Sequence, residues 1–128
     1  MKELIYPFEK LEVWQLSRTL VTSIYKLISA FPNEERYALC DQIRRASISI
    51  PSNIAEGCSR TSFKEQRHFI EIAYGSLMEV YCQLIIATDL QYITTEQINE
   101  IKLLIDRIAK MLSSLRASIN KRMNDTST

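Results

Sequence analysis

Residues that break helices are scarce in this chain. Two glycines and three prolines are spread over 128 residues. Strand-and-turn folds need turn residues far more often, so the scarcity predicts long helices. Histidine occurs once. One histidine cannot complete the doubled Glu-x-x-His set of di-iron bundles, and zinc sites gather several nitrogen, sulfur or carboxylate ligands. The Glu65–His68 spacing therefore reads as an ordinary surface. A glycine-rich phosphate loop, a serine elbow and a paired-carboxylate pattern are all missing. The reading is non-enzymatic, with no cofactor, no metal and no small-molecule substrate expected.

Cysteine is limited to Cys40, Cys58 and Cys82. The number is odd, and the spacings match neither a zinc nor a redox pair. They read as reduced thiols, which predicts a cytoplasmic protein. Cys58 lies near arginines that favour the thiolate, whereas Cys82 reads as a packing residue. The opening MKELIYPFEKLEVW is broken by charges and does not read as a signal peptide. No apolar run reaches the ~20 residues of a membrane span, so no membrane partner is expected. Sixteen basic residues stand against fifteen acidic ones, a formal net charge of +1. That balance argues against a strongly basic nucleic-acid module but leaves room for a local patch.

What is present is helical periodicity. Hydrophobic residues make up 46% of the chain, enough for one folded domain over 1–128 with its core at about 8–120. The first helix is expected from about Phe8 to Phe31. Val13, Leu20, Ile24, Leu27 and Phe31 form one stripe, and Trp14, Val21, Tyr25 and Ile28 an adjacent one. One bundle core uses about one stripe per helix, so the second predicts an interface. Pro32-Asn33 ends this helix, with Asn33 as N-cap of the next. The second helix, about Glu34 to Glu56, turns Leu39, Ile43, Ala46, Ile50 and Ile54 inward. Pro51 should kink it, since proline removes the bond to the Ser47 carbonyl at a cost of about 3 kcal/mol. Ser47 and Ser49 hydroxyls, water, or the Asn53 amide are the candidates to satisfy that carbonyl. Gly57 reads as the left-handed residue just past the helix end.

The third helix opens on a Ser62–Glu65 capping box and places Ile70, Ala73, Leu77, Val80, Leu84 and Ala87 on one face. Gly75 costs about 1 kcal/mol against alanine, so it predicts a close packing contact. The fourth opens on Thr94–Gln97, another capping box, and carries a strict three-four repeat from Ile98 to Ile119. Asn120 to Thr128 reads as a fraying polar tail. Short connections make neighbouring helices antiparallel, so the fold class is an all-α, up-down-up-down four-helix bundle.

Three segments carry a family resemblance: FEKLEVWQ, QIRRASISIPSNIAEG and FIEIAYGSLMEV. They resemble the 23S rRNA intervening-sequence protein family over about Phe8 to Leu90, with the fourth helix similar in pattern only. The resemblance implies a four-helix bundle that assembles as a homo-oligomer, a five-fold ring, with no enzymatic activity. It also implies similarity to the basic accessory protein of diversity-generating retroelements, which contacts nucleic acid and a reverse transcriptase. The near-neutral charge of this chain departs from that protein.

Two sets of side chains are candidates for function. Arg44, Arg45, Arg60, Lys64 and Arg67 read as a cluster around the turn between the second and third helices. They would bind RNA or DNA phosphates with salt-sensitive affinity, or simply pair with Asp41, Glu56 and Glu71 at helical spacing. Trp14, Val21 and Tyr25, with Arg44 and Arg45, are candidates for an interface between copies, with Glu56 or Glu79 of a neighbour as the arginines' partner. Pro51, Asn53, Gly57 and Gly75 are read as structural.

Overall fold

The computed structural model describes residues 5–126. The outermost ends of the expected domain and the last residues of its polar tail lie outside them. Four helices carry the fold: α1 (Glu12–Ile28), α2 (Leu39–Ser59), α3 (Phe63–Asp89) and α4 (Thr95–Thr126). Short 3-10 turns precede α1 at Pro7–Lys10 and α2 at Asn33–Glu35. There is no strand among the described residues.

The first two helices begin later than their apolar spacing predicts. Leu11 is extended (φ −75°, ψ 124°) and separates the Pro7 turn from α1. Glu12 is therefore the first residue of α1, not Phe8, and Ile28 the last, not Phe31. Asn33 does not cap α2. It opens the 3-10 turn behind Pro32, and α2 begins only at Leu39. The later helices start where expected. The Ser62 hydroxyl accepts from the Glu65 amide at 3.1 Å. At Thr94 the box is complete. The Gln97 amide donates to Thr94 Oγ1 at 3.1 Å, and the Thr94 amide donates to Gln97 Oε1 at 2.8 Å.

α2 packs most extensively on α3, α3 on α4, and α1 bridges α2 and α4. No Cα atom of α1 lies within 8 Å of one in α3, so the two helices stand at opposite corners. Cross-contacts run in opposite senses along neighbours. Ser49 meets Ser76 while Gly57 meets Phe69, and Arg67 meets Asn120 while Glu71 meets Arg116. That is antiparallel packing. The core is largely the predicted one, except that Ile28, placed in the second stripe, is buried in it, while Leu27 and Leu39 are only partly buried. Leu20, Ile24, Ile43, Ile50, Ile54, Leu77, Leu84, Ile105, Ile108 and Leu112 are fully buried.

α2 continues through Pro51 to Ser59. The nearby hydroxyls and Asn53 do not turn to the Ser47 carbonyl. Ser47 Oγ donates to the Arg44 carbonyl at 2.9 Å. Asn53 Nδ2 donates to the Ser49 carbonyl at 2.7 Å and to Ser49 Oγ at 2.9 Å, and Ser49 Oγ shares a 2.9 Å hydrogen bond with Ser76 Oγ. The polar residues beside Pro51 thus tie α2 to α3.

Both glycines play other parts than those expected. Gly57 is not left-handed; it lies within α2 and is buried. A Cβ there would stand 3.1 Å from Phe69 Cβ and 3.3 Å from the Gln66 carbonyl. The left-handed residue is Gln91 (φ 65°), past the end of α3. Tyr92 donates to the Ala87 carbonyl and Gln91 to that of Thr88, the paired bonds of a Schellman motif. Gly75 has no packing partner. A Cβ there meets nothing within 4 Å. α4 also outruns expectation, since residues 120–126 are helical and Ile119 is buried.

These placements predict opposite responses. Gly75→Ala should stabilise the isolated chain by about 0.5–1 kcal/mol, because it gains helix propensity without a clash. Gly57→Leu should cost about 1–3 kcal/mol by overpacking the α2–α3 contact. Urea unfolding midpoints decide it, and equal shifts for the two variants would refute the assignment.

Candidate functional site

The five candidate cations do not form one cluster. Arg44 and Arg45 lie near the start of α2, and Arg60 lies just past its end. The helical rise puts the two groups more than about 20 Å apart. Arg44 donates to the Arg36 carbonyl at 2.8 Å and faces Asp41 at 3.9 Å, while Arg45 reaches Asp41 at 3.3 Å with its side chain 80% exposed. Arg60, Lys64 and Arg67 do share the α2–α3 end. α4 adds Arg116 and Arg122 to that end; Arg122 falls in the tail expected to fray, and Arg116, within the expected helix, is far in sequence from the α2–α3 turn.

This end is only partly a positive surface. Arg60 binds Glu56 at 3.0 Å, approaches Glu65 at 4.0 Å and lies over the Phe69 ring at 4.8 Å. Arg67 faces Glu71 at 3.6 Å and donates to Asn120 Oδ1 at 3.1 Å. Arg116 reaches the same Glu71 oxygen at 3.3 Å. Lys64 makes no such contact. Exposed pairs of this kind contribute roughly 0–1 kcal/mol and open readily to a competing anion. His68 is exposed and set edge-on to Phe69, with no ligand set around it. Among the described residues no three His, Cys, Asp or Glu side chains are grouped to hold a metal ion.

The second candidate set lies on the edge of α1 nearest α2. Trp14 and Val21 are half-buried and Tyr25 is 40% exposed. Trp14 packs edge-on against Phe8 at 5.0 Å, with Arg18 stacked on it at 5.3 Å. Helical spacing places Arg44 and Ile48 of α2 across the same groove.

The larger apolar surface lies on α3, where only an inward stripe was expected. Ile72, Tyr74, Met78, Ile85 and Ile86 are each 37–44% exposed. Gly75 and Cys82 lie among them, also exposed, so Cys82 is not a packing residue. The signal was legible in the sequence: from His68 to Thr88 the only charges are Glu71 and Glu79. α3 is in fact long and apolar enough to cross a membrane by length and composition, contrary to the expectation of no such run, with 39% of that stretch buried in the bundle. Glu79 has no ion pair and accepts only a 3.4 Å hydrogen bond from Gln83.

Surface clefts are open and shallow. One of about 490 Å³ lies between α1 and α4, lined by Ser23, Lys26, Leu27, Gln97, Glu100 and Ile101. It collects no reactive group. Another, of about 250 Å³, contains Cys58 beside Gly57, Gln66 and Arg122. Burial pushes the Cys58 thiol up from its ordinary value, opposite to the acidification its arginine neighbours predict.

Four helices packed around one apolar core define an all-α protein of the four-helix-bundle class. The model of the 23S rRNA-intervening sequence protein family matches residues 9–114, and the chain belongs to that family. The match enters α4, beyond the Leu90 limit of the strong sequence resemblance. Among solved structures the chain is similar to a protein of unknown function from the S23 ribosomal protein family of Bacteroides thetaiotaomicron. The two share 28% identity over 81% of this chain and 97% of that one, with a TM-score of 0.75. No curated protein matches the chain.

The raised Cys58 value gives a chemical test. Less thiolate is present at neutral pH, so Cys58 should alkylate more slowly at pH 7 than a free model thiol, despite its exposure. The rate is measured on a chain with Cys40 and Cys82 replaced by serine. A faster reaction than the model thiol would contradict the raised value.

Proposed function

We propose that this chain is a non-enzymatic, cytoplasmic subunit of a homo-oligomeric scaffold, a ring of five copies. One observation carries the reading: the exposed apolar face of α3. A helix that is apolar around most of its circumference is normally buried. Contiguous apolar patches on soluble chains mark contact sites. The family resemblance supports the ring and its five-fold order. The three cysteines are free, which supports a reducing compartment. Light scattering coupled to size exclusion should return about five times the 14.9 kDa chain mass. A single-chain mass at micromolar concentration would remove the reading.

A second reading assigns RNA or DNA binding to the α2–α3 end. Arg60, Lys64, Arg67, Arg116 and Arg122 favour it, and a ring would repeat the patch and add avidity. Glu56, Glu65 and Glu71 weigh against it, since each already faces one of those arginines. Titration of labelled RNA should show binding at 50 mM salt that falls by at least tenfold at 200 mM. Absence of binding at 50 mM, or affinity indifferent to salt, would exclude it.

A further inference from the structure

We infer that the outward face of α3 docks into the groove between α1 and α2 of a second copy of this chain, head to tail. The inference rests on the self-assembly reading above and adds which two surfaces meet. The α3 face is apolar and acidic. Its apolar members are Ile72, Met78 and Ile86, and Glu79 stands among them without an ion pair. No Lys or Arg occurs between His68 and Asp89. The groove is apolar and basic. Val21, Tyr25 and Ile48 line it, and its charged rim is Arg18, Arg44 and Arg45, with Asp41 beside the last two. No acidic residue occurs from Val13 to Ile28, and Asp41 is the one acid between Leu39 and Ala55, so the rim keeps a net positive charge. Opposite charges on two apolar surfaces of one chain identify the occupant as another copy.

Gly75 fits this arrangement. It lies at the centre of the α3 face, and space beyond its backbone is open to 4 Å from the Cβ position. A glycine retained there lets a neighbouring side chain approach the helix backbone. The dimensions suffice as well. Twenty-seven residues make α3 about 40 Å long, and a contact about 20 Å wide along it covers about 800 Å² per copy, the size of a standard stable interface. A lipid surface is a poorer occupant, because it would bury Glu79 unpaired.

The two surfaces are separate. α1 and α3 stand at opposite corners of the bundle, so one copy can engage two neighbours at once. Such heterologous contacts build rings or filaments, whereas one self-complementary patch stops at two copies.

The test blocks one surface at a time in the full chain. Gly75→Arg places a long cation on the α3 face, where the isolated chain has room for it. Tyr25→Glu places an acid in the groove, and Ile48→Glu is a second groove variant should the first lose helical circular dichroism. Light scattering should show the wild type as a multi-chain species and each variant alone at 14.9 kDa, with unchanged circular dichroism. An equal mixture of the Gly75→Arg chain with a groove variant should form a species of two chains and nothing larger, since one intact α3 face meets one intact groove. A folded variant that keeps the wild-type mass, or a mixture that stays single-chain, would overturn the inference while leaving self-assembly standing. A single-chain wild type would end both.

Discussion

The close contact between α2 and α3 is the constraint on which the other features depend. Gly57 brings the two backbones together at one end, where a side chain would meet Phe69 and the Gln66 carbonyl. Two turns or so away, Asn53, Ser49 and Ser76 hydrogen-bond in series across the same contact. Apolar packing alone tolerates sliding of one helix along another. A directional polar bridge does not, because a shifted register would leave its buried hydroxyls without partners, at about 1–3 kcal/mol each. The proline between these residues fits that role. It prevents Ser47 from making its ordinary helical bond, and the local serines and asparagine are spent on the neighbouring helix and their own turn.

Fixing α3 against α2 also fixes which side of α3 faces outward. α4 takes a second side, with Ile70 and Leu77 turned inward and Tyr81 under Lys102. Among the described residues nothing covers the third side. Each of the five large apolar side chains there retains about 40% of its surface in water, which forgoes on the order of 1 kcal/mol relative to full burial. An isolated bundle gains nothing from that arrangement. Polar residues at those positions would serve a lone monomer better, and α4 does carry polar residues on most of its outward side.

Much of the fold was legible because apolar spacing is a direct consequence of helical geometry. The inner faces of α3 and α4, the full capping box at Thr94 and the Ser62 half of the other emerged as their spacing dictates. What failed depended on tertiary context. Apolar spacing continues through Phe8 and Phe31, but Leu11 is extended and the chain turns after Ile28, so periodicity overran the backbone. Gly57 looked like a helix end because glycine prefers left-handed positions. Its other use, allowing close approach, needs a partner helix that a linear pattern does not reveal. Gln91 holds the left-handed position with no glycine to mark it. The arginines appeared as one cluster because they are near in sequence, yet one helix carries them to opposite ends. The outward side of α3 is hidden for a different reason: one regular inward stripe accounts for the helix, and the apolar residues between its members carry no period of their own.

Net charge conceals an uneven distribution along this chain. The total is +1, yet α3 beyond Arg67 carries only acids, while α1 beyond Glu12 and the middle of α2 carry only bases. Where the two kinds meet within the chain, at the α2–α3 end, they pair and largely cancel at long range. Away from that end, Arg18 of α1 and Glu79 of α3 have no ion pair among the described residues and stand beside exposed apolar side chains, while Arg44 and Arg45 share the single Asp41. A fold that separates charge in this way is weakly suited to a polyanion, which would be repelled by the acidic side, and well suited to a surface that carries both signs in complementary places. In the assembly proposed above that surface is the chain's own, and on that proposal neutrality fits self-recognition better than indifference to partners.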